Sequence, residues 1–162
     1  MGRWRIWRWR GAVGRWGSER IMVRIDKDRI KRAIQRAERR TSGEICVSLS
    51  PPFWGDVWKA AERAFDRLGM TATRNRNAVL FFVVPARHKL VVLGDSGINE
   101  KVDADFWPRI VRALAERFRQ SDFTGGIVAG IEAVGEELAM HFPRLDSDTN
   151  ELPDDVDDLS WS

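Results

Sequence analysis

The chain has 162 residues, a net charge of +3 and 43% hydrophobic residues, which fits one globular domain with terminal extensions. Cys46 is the only cysteine, and His88 and His141 are the only histidines. An intramolecular disulfide and a Cys- or His-rich metal site are therefore excluded. The sequence contains neither a run of about eighteen apolar residues nor the apolar stretch of a secretory signal, so we expect a cytoplasmic protein.

The charge is distributed unevenly along the chain. Residues 1–24 contain seven Arg against one Glu, and residues 144–162 contain seven Asp or Glu against one Arg. The first sixteen residues also contain four Trp. Alternating Arg and Trp suits contact with an anionic membrane or with a nucleic acid, whereas a start at Met22 would make residues 1–21 a non-native segment. We expect a disordered or non-native extension over 1–24 and an acidic tail over 144–162.

Residues 25–143 predict a single α/β domain. Apolar stripes at helical spacing alternate with short apolar runs typical of strands. In chain order they predict a helix over 26–40, a strand over 44–49, a helix over 57–68, strands over 77–84 and 90–93, and helices from 103 or 105 to 119 and over 124–141. The run Ala78–Val84 indicates a central strand that is covered on both faces. We therefore expect a three-layer α/β/α sandwich, with a small mixed β-sheet flanked by helices.

Three aspartates are the main candidates for binding chemistry. Asp95 follows a predicted strand in the loop Gly94-Asp95-Ser96-Gly97, Asp105 lies with Asp103 at the start of the third helix, and Asp122 precedes the last helix. Ligands of α/β folds bind at strand ends, and Ca²⁺ and Mg²⁺ prefer oxygen ligands. Each aspartate also has a structural alternative, which is turn formation for Asp95 and helix capping for the others.

Other catalytic patterns are not found in the sequence. It contains no phosphate-binding glycine motif with its lysine, no nucleophile elbow and no helical His-Glu-x-x-His. We expect Cys46 to be a buried structural thiol and His141 to interact with carbonyl groups at a helix end. Trp54, Trp58 and Trp107 are expected to complete the edge of the core, with an interface as the alternative.

Several motifs, taken in order, resemble the TPM domain family, which is named for thylakoid-lumen, photosystem-repair and membrane-associated members. The resemblance covers residues 26–155 and points to the small stand-alone bacterial members. It rests on Thr41-Ser42-Gly43-Glu44-Ile45, Asn77-Ala78-Val79-Leu80-Phe81-Phe82-Val83, Gly94-Asp95-Ser96-Gly97-Ile98-Asn99, Phe118-Arg119-Gln120-Ser121-Asp122-Phe123, His141-Phe142-Pro143 and Asn150-Glu151-Leu152-Pro153-Asp154.

The resemblance implies an α/β/α sandwich and a divalent-cation site, usually for calcium, in acidic loops at one end of the sheet. The matching positions are Asp95, Asp105 and Asp122. Acid-phosphatase activity has been attributed to plant members, but this chain shows no obvious phosphate-binding Arg/Lys cluster beside these loops. Many members also carry an export signal and a C-terminal membrane helix, which this sequence does not show.

We therefore expect a soluble, monomeric domain that binds Ca²⁺ or Mg²⁺ and serves as a binding or accessory module for an unknown protein partner. One alternative is a metal-assisted acid phosphatase, in which the ion polarises a phosphoryl oxygen and activates water. The other is a protein that associates with an anionic membrane or a nucleic acid through residues 1–21.

Overall fold

A computed structural model describes residues 6–8 and 25–158 of the chain. The predicted order of seven helices and strands is confirmed, and three short elements are added to it. In chain order the elements are β1 Ile6–Arg8, α1 Lys27–Glu38, β2 Glu44–Leu49, α2 Val57–Arg67, β3 Ala78–Val84, β4 Lys89–Gly94, α3 Ser96–Asn99, α4 Phe106–Arg119, α5 Phe123–His141 and β5 Asp157–Asp158. The sequence patterns did not predict β1, α3 or β5.

The strands form one mixed sheet in the order β1-β4-β3-β2-β5. β2 is parallel to β3 and to β5, whereas β4 is antiparallel to β3 and to β1. The predicted hairpin between β3 and β4 is closed by a 3₁₀ turn at Pro85–Arg87 and by His88, whose φ of 49° is left-handed. Because β2 and β3 are parallel and β4 is antiparallel, the starts of β2 and β3 and the end of β4 lie at the same end of the sheet.

Alternate strand residues face two separate cores, as the pleat of a sheet requires. On one face, α1, α4 and α5 cover residues such as Val47, Phe81 and Val92. On the other face, α2 covers residues such as Leu80 and Val91. The three-layer α/β/α sandwich is confirmed, with three long helices on one side of the sheet and one on the other.

Aspartate side chains fix where three helices begin. Asp26 accepts a hydrogen bond from Arg29 N at the start of α1, and Asp56 accepts from Trp58 N and Lys59 N at the start of α2. Asp122 accepts from Gly125 N at the start of α5. Such caps satisfy backbone N–H groups that have no partner within the helix.

The acidic tail lies along the body of the domain. Asp157 pairs with Arg67 and accepts a hydrogen bond from Ser48 Oγ at 2.6 Å, Asp155 pairs with Lys31, and Asp158 pairs with Lys27. These contacts place β5 at the edge of the sheet beside β2. They also give the acidic tail a structural role, because basic side chains of α1 and α2 pair with it.

Residues 6–8 of the predicted N-terminal extension form β1, which pairs with β4. The rest of residues 1–24 lies outside the described residues, so that part of the extension stays a prediction. Along the described chain, no helix has the length and apolar character needed to cross a bilayer.

Candidate functional site

Asp95, the first predicted ion ligand, is fully buried and both of its carboxylate oxygens have protein partners. Arg76 Nε donates to Oδ2 at 2.6 Å and Arg76 Nη2 donates to Oδ1 at 2.9 Å, while Ser96 N also donates to Oδ1 at 2.7 Å. A bidentate pair of this kind is strong and directional. The hydrogen bonds and the charge of Asp95 raise the pKa of the Arg76 guanidinium above its ordinary value. Asp95 therefore ties the segment before β3 to the end of β4.

Gly97 completes the same connection through the backbone. Its N–H donates to Arg76 O at 2.7 Å. A Cβ at this position would lie 2.0 Å from Asn75 O, which no rotamer change can relieve because the obstacle is backbone. The glycine in the predicted acidic loop is thus required by the close approach of the segment before β3.

Asp105 and Asp122, the other two predicted ligands, lie at opposite ends of α4. Asp105 is exposed at its N-cap position, near Arg112 at 3.4 Å. Asp122 follows the C-terminus of α4, where it caps α5 and lies 3.3 Å from Arg117. At 1.5 Å per residue, the fourteen residues of α4 separate these two aspartates by about 21 Å.

Asp95 lies at the Asp105 end of α4. Asn99 connects the two regions, because its Nδ2 donates to Gly94 O at 2.6 Å and its Oδ1 accepts from Trp107 Nε1 at 2.8 Å. The three predicted ligands therefore do not converge on one point. Within residues 25–158, no group of three or more His, Cys, Asp or Glu side chains has an arrangement that holds a metal ion.

Sequence predictions also concern a cysteine, a histidine and the tryptophans, and only some of these are confirmed. Cys46 is a buried free thiol as predicted, and burial raises its pKa to about 12. The prediction for His141 is wrong, since its Nε2 lies 3.1 Å from Glu137 Oε1, one turn earlier in α5. Trp107 is fully buried in the core, but Trp54 is fully exposed.

A different group of carboxyl side chains lies where α1 ends and β2 begins. Glu38 is the last residue of α1 and is 6% exposed, and Glu44 is the first residue of β2 and is 2% exposed. Glu38 Oε1 accepts from Ile45 N at 2.8 Å, and Glu44 Oε1 accepts from Glu151 N at 2.6 Å. The second oxygen of each, Oε2, is buried and has no donor if both groups are ionised.

Protonation of a carboxyl group in this cluster supplies the missing hydrogen-bond donor. Burial, together with a hydrogen bond to Asp154, raises the pKa of Glu38 to about 10. Burial also raises the pKa of Glu44 to about 7, although the hydrogen bonds from Glu151 N and from Glu38 oppose that rise. With a proton on Glu38, its single O–H can donate either to Asp154 or to Glu44. The group therefore holds at least one proton at neutral pH, as close buried carboxyls require.

Glu38 and Asp154 line an open cleft of about 370 Å³, together with polar side chains of α1 and of the C-terminal segment. Arg144 holds one wall in place, since its Nη1 donates to Glu38 O at 2.8 Å and its Nη2 donates to Asp148 O at 3.1 Å. Asn150 Nδ2 donates to Asp154 Oδ1 at 2.8 Å. The cleft is thus formed by the end of α1 and by the C-terminal segment, two parts of the chain that are distant in sequence.

Sequence reasoning did not identify these glutamates as a site. The one available signal was Glu44, an acidic residue at the start of a mainly apolar strand. Its burial depends on Glu151, 107 positions later in the chain, and no spacing rule reports a contact at that separation.

Comparison with known proteins accounts for this architecture. The model of the TPM domain family matches residues 18–137, about three-quarters of the chain. The chain belongs to the TPM domain family. A comparison with curated proteins gives no match.

Two solved structures are similar to this TPM domain. The NMR structure of the BA42 protein from the psychrophilic bacterium Bizionia argentinensis has 35% sequence identity and a TM-score of 0.77, with 91% of this chain and 98% of that chain covered. The solution NMR structure of the N-terminal domain of the cg2496 protein from Corynebacterium glutamicum has 18% identity and a TM-score of 0.54, with 79% and 77% covered. At that identity, the second likeness concerns the fold alone.

The Asp95 loop predicts a strong effect of Gly97→Ala on stability. The added methyl group meets Asn75 O, so the backbone must shift and weaken the Gly97–Arg76 hydrogen bond; overpacking of this kind costs roughly 1–3 kcal/mol. Urea denaturation should show a lower free energy of unfolding, whereas Ser96→Ala next to it should have a much smaller effect. Equal stability of Gly97→Ala and the wild type would contradict the close approach.

The carboxyl cluster predicts that Glu38→Gln weakens the dependence of stability on pH. The pKa of Glu38 is higher in the folded state than its ordinary value of 4.5, so its proton stabilises the fold fully below about pH 4.5. That stabilisation is lost as the pH rises towards 10, by about 1.4 kcal/mol per pH unit for one proton. A neutral amide at position 38 removes this loss.

Urea denaturation at pH 7, 8 and 9 checks this prediction. The free energy of unfolding of Glu38→Gln should rise relative to that of the wild type as the pH rises. The exposed control Glu136→Gln should show the same change with pH as the wild type. Parallel curves for Glu38→Gln and the wild type would show that Glu38 is ionised in the folded protein.

Proposed function

We propose that this TPM domain binds a divalent cation, Ca²⁺ or Mg²⁺, at Glu38 and Glu44. The observation that carries the proposal is the pair of buried Oε2 atoms, neither of which has a hydrogen-bond donor when both glutamates are ionised. A buried carboxylate without a partner is costly. A shared proton, an ordered water or a cation can compensate for both, and the cluster opens to solvent through the cleft that Glu38 and Asp154 line.

Several of the surrounding groups carry oxygen atoms of the kind that a hard cation prefers. Ca²⁺ and Mg²⁺ bind carboxylate, carbonyl and water oxygens, and Mg²⁺ usually keeps several waters. Asp154 and Asn150 line the cleft beside Glu38 and supply oxygen atoms of these types. Arg39 and Arg144 line the same cleft, and their positive charge opposes a cation there. In the proton-sharing arrangement the carboxyl groups are hydrogen bonded to one another. An entering cation would displace the shared protons and draw the carboxylates around itself.

The positions implied by the family resemblance have weaker support from the geometry. Both carboxylate oxygens of Asp95 already accept hydrogen bonds from Arg76 or Ser96. Binding an ion there would break the bidentate pair with Arg76. Asp105 and Asp122 are too far apart to share one ion. Variants at these aspartates therefore serve as controls for variants of the glutamate pair.

Proton displacement gives the proposed site a clear signature. A carboxyl group must lose its proton before it can bind a metal, so affinity rises with pH and binding releases protons. The pKa of Glu44, raised to about 7, and that of Glu38, raised to about 10, place this dependence at neutral to alkaline pH. A site made from exposed aspartates would show no such dependence in this range, because the ordinary pKa of Asp is about 3.9.

Isothermal titration with CaCl₂ and with MgCl₂ at pH 6 and pH 8 tests the proposal. We expect saturable binding that is tighter at pH 8, with a heat that depends on the ionisation enthalpy of the buffer. Glu38→Gln/Glu44→Gln should weaken binding by more than about tenfold, the loss expected if about 1.4 kcal/mol of binding free energy is removed. Glu136→Gln and Asp105→Asn/Asp122→Asn should bind as the wild type does.

Two results would overturn the proposal. One is the absence of saturable binding by either ion at pH 8. The other is binding that survives in the double-glutamine variant and disappears in Asp105→Asn/Asp122→Asn. The phosphatase alternative, the role of residues 1–21 and the cytoplasmic location stay predictions.

A further inference from the structure

The end of the sheet opposite the carboxyl cluster has an unusual side chain at its surface. β2 ends there, and the following loop carries Trp54, which is fully exposed. Among the described residues, the other exposed large hydrophobic side chains are Met140 and Leu145. Both of these belong to the C-terminal part of the chain. Single exposed hydrophobic side chains are common on protein surfaces, so the contacts that fix the backbone on both sides of this indole are the more informative feature.

The backbone around Trp54 is fixed by Arg87. Arg87 Nη1 donates to Gly55 O at 2.7 Å and to Phe53 O at 3.4 Å, and its guanidinium lies 5.2 Å from the centroid of the Phe53 ring. Asp56 then caps α2 directly after the loop. The residues on both sides of Trp54 are thus held by the hairpin between β3 and β4. Pro52, Phe53, Trp54, Gly55 and Arg87 line one shallow cavity, and we name this set the aromatic edge.

We propose that the aromatic edge is a contact surface for an anionic membrane. Lys59 and Lys89 lie close to it in the chain, at the first turn of α2 and at the start of β4, and Arg87 belongs to it. The nearby Asp56 carboxylate accepts hydrogen bonds from two backbone N–H groups. The charge is therefore mainly positive and complements phosphate headgroups.

The size of the aromatic edge favours a membrane over a protein partner. A stable protein interface buries about 800 Å² on each partner around a well-packed core. The aromatic edge offers one projecting indole beside a half-buried phenyl ring. A single indole suits the headgroup layer of a bilayer, where tryptophan is enriched because its ring is apolar and its N–H is polar.

The topology places a second feature at the same end. β1 ends at Arg8, whose backbone lies opposite Lys89 at the start of β4. The strand that carries part of the Arg/Trp-rich sequence therefore ends at the same end of the sheet as the aromatic edge. One projecting indole beside basic side chains suits a contact that lies on the membrane surface.

Co-sedimentation of the full chain with vesicles tests the proposal. The vesicles are phosphatidylcholine alone or phosphatidylcholine with phosphatidylserine at a ratio of 3:1. We expect binding to the anionic vesicles that weakens with salt. Trp54→Ala should weaken it roughly tenfold, as expected for the loss of one inserted apolar side chain, and Lys59→Glu should also weaken it. Met140→Ala, which removes an exposed apolar side chain elsewhere, should bind as the wild type does.

A second measurement locates the contact. The indole N–H resonance of Trp54, assigned by its loss in Trp54→Phe, should broaden when the anionic vesicles contain a spin-labelled lipid. The proposal is overturned if the wild type does not bind the anionic vesicles, if Trp54→Ala binds them as tightly as the wild type, or if the resonance does not broaden. An effect of Trp54→Ala on binding to duplex DNA, with none on vesicles, would assign the surface to nucleic acid and also overturn it.

Discussion

The burial of β2 and β3 on both faces governs where this domain can place ionisable groups. α1, α4 and α5 cover one face and α2 covers the other, so the side chains along these strands meet hydrocarbon. Polar side chains can reach water or one another chiefly at the strand ends. Glu44 lies at such an end, and the C-terminus of α1 brings Glu38 next to it. Two carboxyl groups are thus held together in a setting where burial raises the pKa of each and where both are not readily ionised at once.

That constraint links the carboxyl cluster to the rest of the chain. Glu38 accepts from the backbone of β2, and Glu44 accepts from the backbone of Glu151 in the C-terminal segment. Arg144 in turn donates to the last residue of α1. The acidic tail, which composition alone describes as a charged extension, therefore closes one side of the candidate site. A change in the charge of the cluster acts on the attachment of that tail as well as on any bound ion.

The fold followed from local patterns because those patterns report burial directly. The apolar run Ala78–Val84 predicted a strand that is covered twice, and the stripes of the long helices predicted their inward faces. The role of Asp95 could not be predicted from the sequence, because its place between two glycines at a strand end suits an ion ligand and an arginine partner equally well. The choice depends on Arg76, which has a left-handed φ of 50° and lies 19 positions earlier. Spacing rules do not include such contacts. The glutamate pair was missed for the same reason.

The location of a bound cation tests the account most directly. Crystals of the wild-type protein grown at pH 8 with CaCl₂ can be measured at a long wavelength, where calcium scatters anomalously. The account predicts an anomalous peak between the carboxylates of Glu38 and Glu44, with oxygen ligands at the 2.3–2.6 Å typical of calcium. A peak at Asp95, Asp105 or Asp122 with none at the glutamates would contradict it, as would a map without any calcium peak beside a proton-sharing glutamate pair.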